Sequence, residues 1–169
     1  MPLTLHVIPE TLNSYRLTLD YLRHLLADVE GDLLTRQPPG VVNHPAWTIG
    51  HLIYSAQAIG GELGLDPWLP ADWQVRFGTG STPQPTGYET KDYLLAALTD
   101  AQTRLTNRLH ELGEAAMSQP LPDIRYRSTL PTLGHAVLHI LTAHTSTHLG
   151  QLIIWRRAAG LPLLIKSFD

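Results

Sequence analysis

The sequence predicts an all-α protein, a four-helix bundle with long connections between its helices. In four stretches of the chain, apolar residues recur at alternating spacings of three and four, which is the pattern of amphipathic helices. Stretches rich in proline and glycine separate these helices. Little of the chain shows the apolar–polar alternation that is typical of strands.

An apolar face marks each of the first two predicted helices. The first is expected over residues 9–28, and its stripe consists of Leu12, Tyr15, Leu19, Leu22 and Leu26. The second is expected from Pro45, a residue suited to a first helical turn, to Gly60 or Gly64. One face of this helix carries Trp47, His51 and Ser55. Residues 32–44, which contain two prolines and a glycine, are predicted to form a loop.

A long connection follows over residues 65–87. It contains four prolines, but it also carries Trp68, Trp73 and Phe77, which argue against disorder. We therefore predict a packed loop that covers one end of the bundle.

Start and stop signals bound the last two predicted helices. Thr86 and Glu89 have the spacing of a capping box, which predicts the start of the third helix there and its end near Leu112, before Gly113. A second loop is expected over residues 114–130. The fourth helix is expected to begin near Pro131 or Thr132 and to end at Gly160.

Composition limits the classes of function. The 169 residues, 43% of them hydrophobic and 16% charged, indicate a single globular domain over residues 1–169. A net charge of −3 and the lack of a basic stripe disfavour nucleic-acid binding. The absence of cysteine excludes disulfides, thiolate metal sites and cysteine nucleophiles. No apolar run is long enough for a membrane span and no signal peptide is visible, so we expect a cytoplasmic protein without membrane contacts.

Three of the nine histidines form a candidate metal site. His144 and His148 are four residues apart and therefore lie on one face of the fourth helix. This face is the inward seam of the helix, made of Val137, Leu141, His144, His148, Gln151 and Trp155. His51, on the inward face of the second helix, is the natural third ligand. Three histidine ligands leave positions open for water or substrate, which is typical of catalytic metal sites.

Other residues near this seam have alternative interpretations. Trp47, Ser55, Gln151 and Trp155 are candidates for a second shell or a substrate pocket, although Gln151 is equally well explained as a buried amide satisfied by a neighbouring helix. His44 is either a helix cap or a second-shell group. His135 and His139 are expected to point away from the seam, by about 180° and 140° respectively, on the helical period. Thr145 follows His144, so the site lacks the HExxH pattern of metalloproteases.

Several segments resemble the DinB/YfiT-like superfamily of metal-dependent proteins. They are Trp47-Thr-Ile-Gly-His51-Leu, His144-Thr-Ser-Thr-His148-Leu-Gly-Gln151-Leu and, between them, Asp72-Trp-Gln-Val-Arg-Phe-Gly-Thr-Gly-Ser81. The resemblance implies a four-helix bundle with two long crossovers and one divalent metal, zinc or nickel, held by His51, His144 and His148. It also implies a homodimer and, by similarity to the best-understood relatives, a transferase or isomerase that uses a low-molecular-weight thiol.

The expected function is therefore that of a metal-dependent enzyme acting on a small-molecule substrate, with a thiol co-substrate as the nucleophile. A metal-dependent hydrolase is the nearest alternative, because the same metal would lower the pKa of bound water. Such an enzyme usually needs a carboxylate base, and Glu62 or Asp66 at the end of the second helix is available. A non-catalytic metal-binding stress-response protein is the third possibility, and a fourth protein ligand such as Gln151 or His44 would favour it.

Overall fold

The computed structural model describes residues 7–164, and over this range the fold is all-α, as the periodicity predicts. The helices are α1 (Val7–Leu25), α2 (Pro45–Glu62), α3 (Trp73–Phe77), α4 (Lys91–Ala116), α5 (Leu133–Leu138) and α6 (Thr145–Ala158). A 3-10 helix, Gly31–Thr35, follows α1. A π-helical segment, His139–His144, joins α5 to α6, and the three together form what we call the C-terminal helix. In the described range an isolated bridge between Pro120 and Thr132 is present, and there is no strand.

The long helices pack around one apolar core. Both α1 and α2 are flanked by α4 and by the C-terminal helix, so α1 and α2 take opposite corners of the bundle. Residues from all of these helices are fully buried in the core, among them Leu19, Ile53, Leu98, Leu105 and Val137. None of the helices within residues 7–164 is both long and apolar enough to cross a membrane.

The third long helix begins later than the capping box at Thr86 and Glu89 predicts. Thr90 is the N-cap of α4, and its side chain accepts a hydrogen bond from the backbone N–H of Tyr93 at 3.3 Å. Glu89 does not reach back to Thr86, because both of its carboxylate oxygens accept hydrogen bonds from Arg76 at 2.7 and 2.8 Å. The predicted stop at Gly113 coincides with a kink, where this glycine has φ of 71° and the helical hydrogen bonding resumes for three more residues.

The connection between α2 and α4 is packed, as its aromatic residues predict, and it contains the short helix α3. Trp73 and Phe77 of α3 are buried, with 1% and 0% of their surface exposed. The guanidinium of Arg76 lies 4.8 Å from the centre of the Phe77 ring while it pairs with Glu89. The Arg76–Glu89 pair joins α3 to the segment just before α4, and α3 also packs against α2.

Candidate metal centre

Three imidazoles converge between α2 and the C-terminal helix. They belong to His51, His144 and His148, and the potential ligand atoms of the three rings all lie within 4.8 Å of one another. The Nε2 atoms of His51 and His144 are 3.2 Å apart. Two nitrogens that bind one metal at about 2.0–2.1 Å with tetrahedral angles are separated by roughly 3.3 Å, so this spacing suits a shared ion.

The backbone of α3 holds the ring of His51. Its Nδ1 lies 2.6 Å from the carbonyl oxygen of Phe77. Because a carbonyl oxygen only accepts hydrogen bonds, Nδ1 carries the proton and donates, and Nε2 is left with its lone pair toward the other two rings. The ring also stacks on Trp47, with 4.8 Å between centroids and 8° between planes. The orientation of His51 is therefore determined by a hydrogen bond and a stacking contact, as is usual for metal-ligating histidines.

A side-chain amide holds the ring of His148. Its Nδ1 lies 2.9 Å from Oε1 of Gln151, and this same oxygen accepts a hydrogen bond from Nδ2 of Asn43, also at 2.9 Å. The Gln151 oxygen is thus engaged on two sides, so it supports His148 rather than serving as a fourth ligand. Sequence reasoning did not identify Asn43.

The third ring, His144, has no such support. Its Nδ1 is buried and has no hydrogen-bond partner among the described residues. Unpaired buried nitrogens are uncommon in folded proteins. The neighbours of the His144 ring within the cluster are the rings of His51 and His148, at centroid distances of 5.2 and 4.6 Å.

The three imidazoles are neutral at pH 7. Burial lowers the pKa of His144 to about 3, and the proximity of His148, His51 and His139 contributes to the shift. Burial and the nearby His51 lower the pKa of His148 to about 4, against the opposing hydrogen bond to Gln151. Burial also lowers the pKa of His51, while the Phe77 carbonyl opposes the shift. Neutral imidazoles are the form in which histidine binds metals.

The site opens into a cavity of about 730 Å³. His51 and His144 lie on its wall, and Ser55, one of the predicted pocket residues, lies beside them. The rest of the wall combines apolar side chains, those of Ala58, Ile59, Leu121, Leu130, Ala136 and Ile140, with polar and charged groups, those of Tyr54, Glu62, Gln74, Thr79, Asp123, Arg125, Tyr126, Thr129 and His139. A cavity of this size, with apolar side chains beside polar groups, is large enough for a small-molecule substrate.

The π-helical segment changes which residues face this cavity. On a regular α-helix, His139 and His144 would point about 140° apart. Hydrogen bonds in a π-helix join residues five apart, so the turn from His139 to His144 brings the two onto the same side. His139, although exposed, consequently lines the cavity, which the helical period did not predict. His135 is also exposed, but it lies outside the cavity lining and contacts Thr132.

The other residues predicted near the site, His44, Trp47 and Trp155, form hydrogen bonds with groups outside the histidine cluster. His44 caps α2, because its Nδ1 accepts a hydrogen bond from the N–H of Trp47 and its Nε2 donates one to the carbonyl of Gln84. Trp47 donates from its indole nitrogen to Ser81. Trp155 is fully buried and donates to the carbonyl of Arg36. With both nitrogens of His44 engaged, it is not a fourth ligand.

Comparison with protein families agrees with this architecture. A family model for the DinB superfamily matches residues 14–152, which is most of the chain and includes all three histidines. The chain belongs to the DinB superfamily. Members of this superfamily often bind metals, and the three histidines of this DinB protein could hold one. No curated protein matches the sequence.

The donor set limits which metals fit. Three imidazole nitrogens, with no carboxylate or thiolate in the group, suit zinc, nickel, copper or iron rather than calcium or magnesium, which prefer oxygen ligands. The three histidines therefore fit a divalent metal between the hard and soft classes. They provide fewer protein ligands than a closed structural zinc site has.

Proposed function

We propose that this DinB protein binds one divalent metal ion, zinc or nickel, through His51, His144 and His148, and that it is an enzyme. The observation that carries the proposal is the convergence of three neutral imidazoles, two of them on the wall of a cavity large enough for a small-molecule substrate. The two side chains that could have closed the coordination sphere, Gln151 and His44, are engaged elsewhere. An open coordination sphere beside a cavity favours catalysis over a structural role.

The reaction we propose is the transfer of an electrophilic group to a low-molecular-weight thiol. A metal bound by imidazoles would promote loss of the proton from a coordinating thiol and so supply a nucleophile at neutral pH. The thiol must come from outside, because the chain contains no cysteine. As the sulfur–carbon bond forms, the bond to the leaving group breaks and the leaving group takes its electron pair.

Other residues of the protein would orient the ligands, bind the electrophile and receive the thiol proton. The Phe77 carbonyl and the Gln151 amide orient His51 and His148. The apolar side chains of Ile59, Leu121 and Ile140 would bind the non-polar part of the electrophile and exclude water. His139 is the imidazole on the cavity wall outside the cluster of three, and it would receive the thiol proton.

The cavity's carboxylates favour a transferase over a hydrolase. Glu62, an expected candidate for a general base, accepts a hydrogen bond from the backbone N–H of Asp123 at 2.9 Å. The Asp123 carboxylate is itself paired with Arg125, which lowers its pKa. Asp66 is exposed and is not among the residues that line the cavity. The two carboxylates on the cavity wall are thus engaged by a hydrogen bond or an ion pair, which makes each of them a weaker base for activating water.

Metal content is the first test. The untagged wild type, His148→Ala and the control His135→Ala, an exposed histidine of the same helix, are analysed by plasma mass spectrometry after incubation with zinc or nickel. We expect about one metal per chain in the wild type and in the control, and loss of metal in His148→Ala. Equal and negligible metal in all three proteins would overturn the proposal.

Activity is the second test. The metal-loaded protein is assayed with monochlorobimane, which becomes fluorescent on conjugation, and with cysteine, glutathione, bacillithiol or mycothiol. Metal-dependent conjugation supports the transferase. Hydrolysis of ester or amide substrates without thiol would replace it with the hydrolase, and metal binding without turnover would leave a non-catalytic metal-binding protein. The homodimer implied by the resemblance is tested separately by light scattering of the same preparation.

A further inference from the structure

A chain of hydrogen bonds links the loop before α2 to the metal centre. Asn43 is buried, with 9% of its surface exposed, and it precedes the helix cap His44. Its Nδ2 lies 2.9 Å from Oε1 of Gln151, which lies 2.9 Å from Nδ1 of His148. The oxygen of Gln151, with two lone pairs, accepts from both neighbours.

The orientation of the Gln151 amide in this series of hydrogen bonds determines which nitrogen of His148 is available for a metal. With the Gln151 oxygen toward the ring, Nδ1 carries the proton and Nε2 keeps its lone pair. If the amide were turned around, its NH₂ group would donate to Nδ1, and the proton of the neutral ring would lie on Nε2. That tautomer could not bind a metal through Nε2.

Of His51 and His148, only His148 has a hydrogen-bond partner that could favour either tautomer. The partner of His51 is a backbone carbonyl, which accepts hydrogen bonds and never donates. The partner of His148 is a side-chain amide, which can present either its oxygen or its nitrogen. A third group is therefore needed to fix the amide, and Asn43 is the residue in contact with it.

We propose that Asn43 is a positioning residue of the metal centre: its NH₂ group holds the Gln151 oxygen toward His148 and thereby selects the tautomer of His148 that binds metal. This inference rests on the metal binding proposed above. It predicts that replacing a donor by an acceptor at position 43 weakens metal binding even when the replacement adds a negative charge.

The test compares Asn43→Asp and Gln151→Glu with the wild type. An aspartate at position 43 only accepts hydrogen bonds when ionised, so it would turn the NH₂ group of Gln151 toward both neighbours. A glutamate at position 151 accepts from both Asn43 and His148 and keeps the direction of the chain. Competition with a chromophoric chelator for zinc should show affinity about 10–100-fold weaker in Asn43→Asp, the usual effect of losing an outer-shell partner, and undiminished in Gln151→Glu. Asn107→Asp, at an exposed position of α4, controls for the added charge.

Nitrogen NMR of the metal-free proteins supplies a second readout that does not depend on turnover. Long-range ¹⁵N–¹H correlations should show the proton of His148 on Nδ1 in the wild type and on Nε2 in Asn43→Asp. Unchanged zinc affinity and an unchanged tautomer in Asn43→Asp would overturn the role of Asn43 while leaving the metal site intact. Failure of the wild type to bind zinc at all would instead overturn the proposed function.

Asn43→Leu removes the donor without adding an acceptor, so it should give a mixture of tautomers and an intermediate affinity. A single Nδ1–H tautomer in this variant would also contradict the inference.

Discussion

A Cβ atom added at Gly50 would lie 2.1 Å from Cε1 of the Phe77 ring, a distance that no real side chain tolerates. Gly50 precedes His51 in α2, and the carbonyl of Phe77 is the partner of His51. The missing side chain thus lets α3 approach α2 closely enough for that hydrogen bond to form.

The first prediction follows from this contact. In Gly50→Ala the Phe77 ring has to move, which should reduce the free energy of unfolding by about 1–3 kcal/mol and displace the carbonyl from His51. Zinc affinity should fall together with stability, and urea unfolding and chelator competition measure the two effects.

A second glycine of the same helix provides the control. A Cβ at Gly61 would meet nothing within 4 Å. Gly61→Ala should therefore leave zinc affinity unchanged and stability unchanged or slightly higher, because alanine favours the helix. If both alanine variants behaved alike, the contact between Gly50 and Phe77 would have no special role.

The histidine triad illustrates what the sequence predicts well. The spacing of His144 and His148, and the inward position of His51, depend on helical periodicity, and periodicity is a local property of the chain. The structure brings the three rings together as that pattern predicts. Their supporting partners are not local: Phe77 is 26 residues from His51, and Asn43 is 108 residues from Gln151.

Two further features of the structure differ from what the local sequence predicts. The π-helical segment shifts the hydrogen-bond register between α5 and α6, and no local signal marks that shift, so His139 was expected to point away from the seam. The capping box at Thr86 and Glu89 has the correct spacing but does not form, because Arg76 pairs with Glu89. Gly50, inside a helix and directly before a candidate ligand, is a local signal of the close approach of α3 to α2.

The second prediction concerns pH. The pKa of His144 is about 3 and that of His148 about 4 in the folded protein, both below the ordinary value of 6.5. When the pH falls below about 6.5, the unfolded chain binds protons that the folded chain does not, so the free energy of unfolding decreases. The contribution of these histidines to stability is complete above that pH and declines as the pH falls toward 4.

Urea unfolding of the metal-free protein between pH 5 and 7.5 measures this dependence, in a range where most carboxylates remain ionised. The slope of the unfolding free energy against pH is proportional to the number of protons taken up on unfolding. In His144→Leu this number should be lower by close to one where the slope is steepest. The same slope in the variant and the wild type would show that His144 is not held neutral by the fold.

The third prediction concerns Arg156, which is completely buried at the end of α6. Its guanidinium pairs with Asp28 and donates to the backbone carbonyls of Leu25 and Pro162, so it joins the end of α1 to the segment after α6. The hydrogen bond from Arg156 lowers the pKa of Asp28.

Arg156→Met should reduce the free energy of unfolding by about 2–3 kcal/mol, because the two carbonyls lose their donors, and chemical denaturation measures this loss. Arg157→Met, at the exposed neighbouring position, should change stability by less than about 0.5 kcal/mol, and an equal effect of the two substitutions would contradict the structural role of Arg156.

The fourth prediction tests the cavity residue that the π-helical segment supplies. If His139 receives the thiol proton, His139→Asn should lower the rate of monochlorobimane conjugation by about 100-fold or more. Its zinc content should remain that of the wild type, because His139 lies outside the cluster of three ligands. The rate and the metal content are measured on the same preparation.

His135→Asn is the matched control for this substitution, since His135 is an exposed histidine one turn earlier on the C-terminal helix whose contact is with Thr132. It should change neither the rate nor the metal content. Full activity in His139→Asn would remove this residue from the reaction and leave the thiol proton to solvent. Loss of zinc from His139→Asn would point instead to a structural role for the π-helical turn in placing His144, because the two residues lie at opposite ends of that segment.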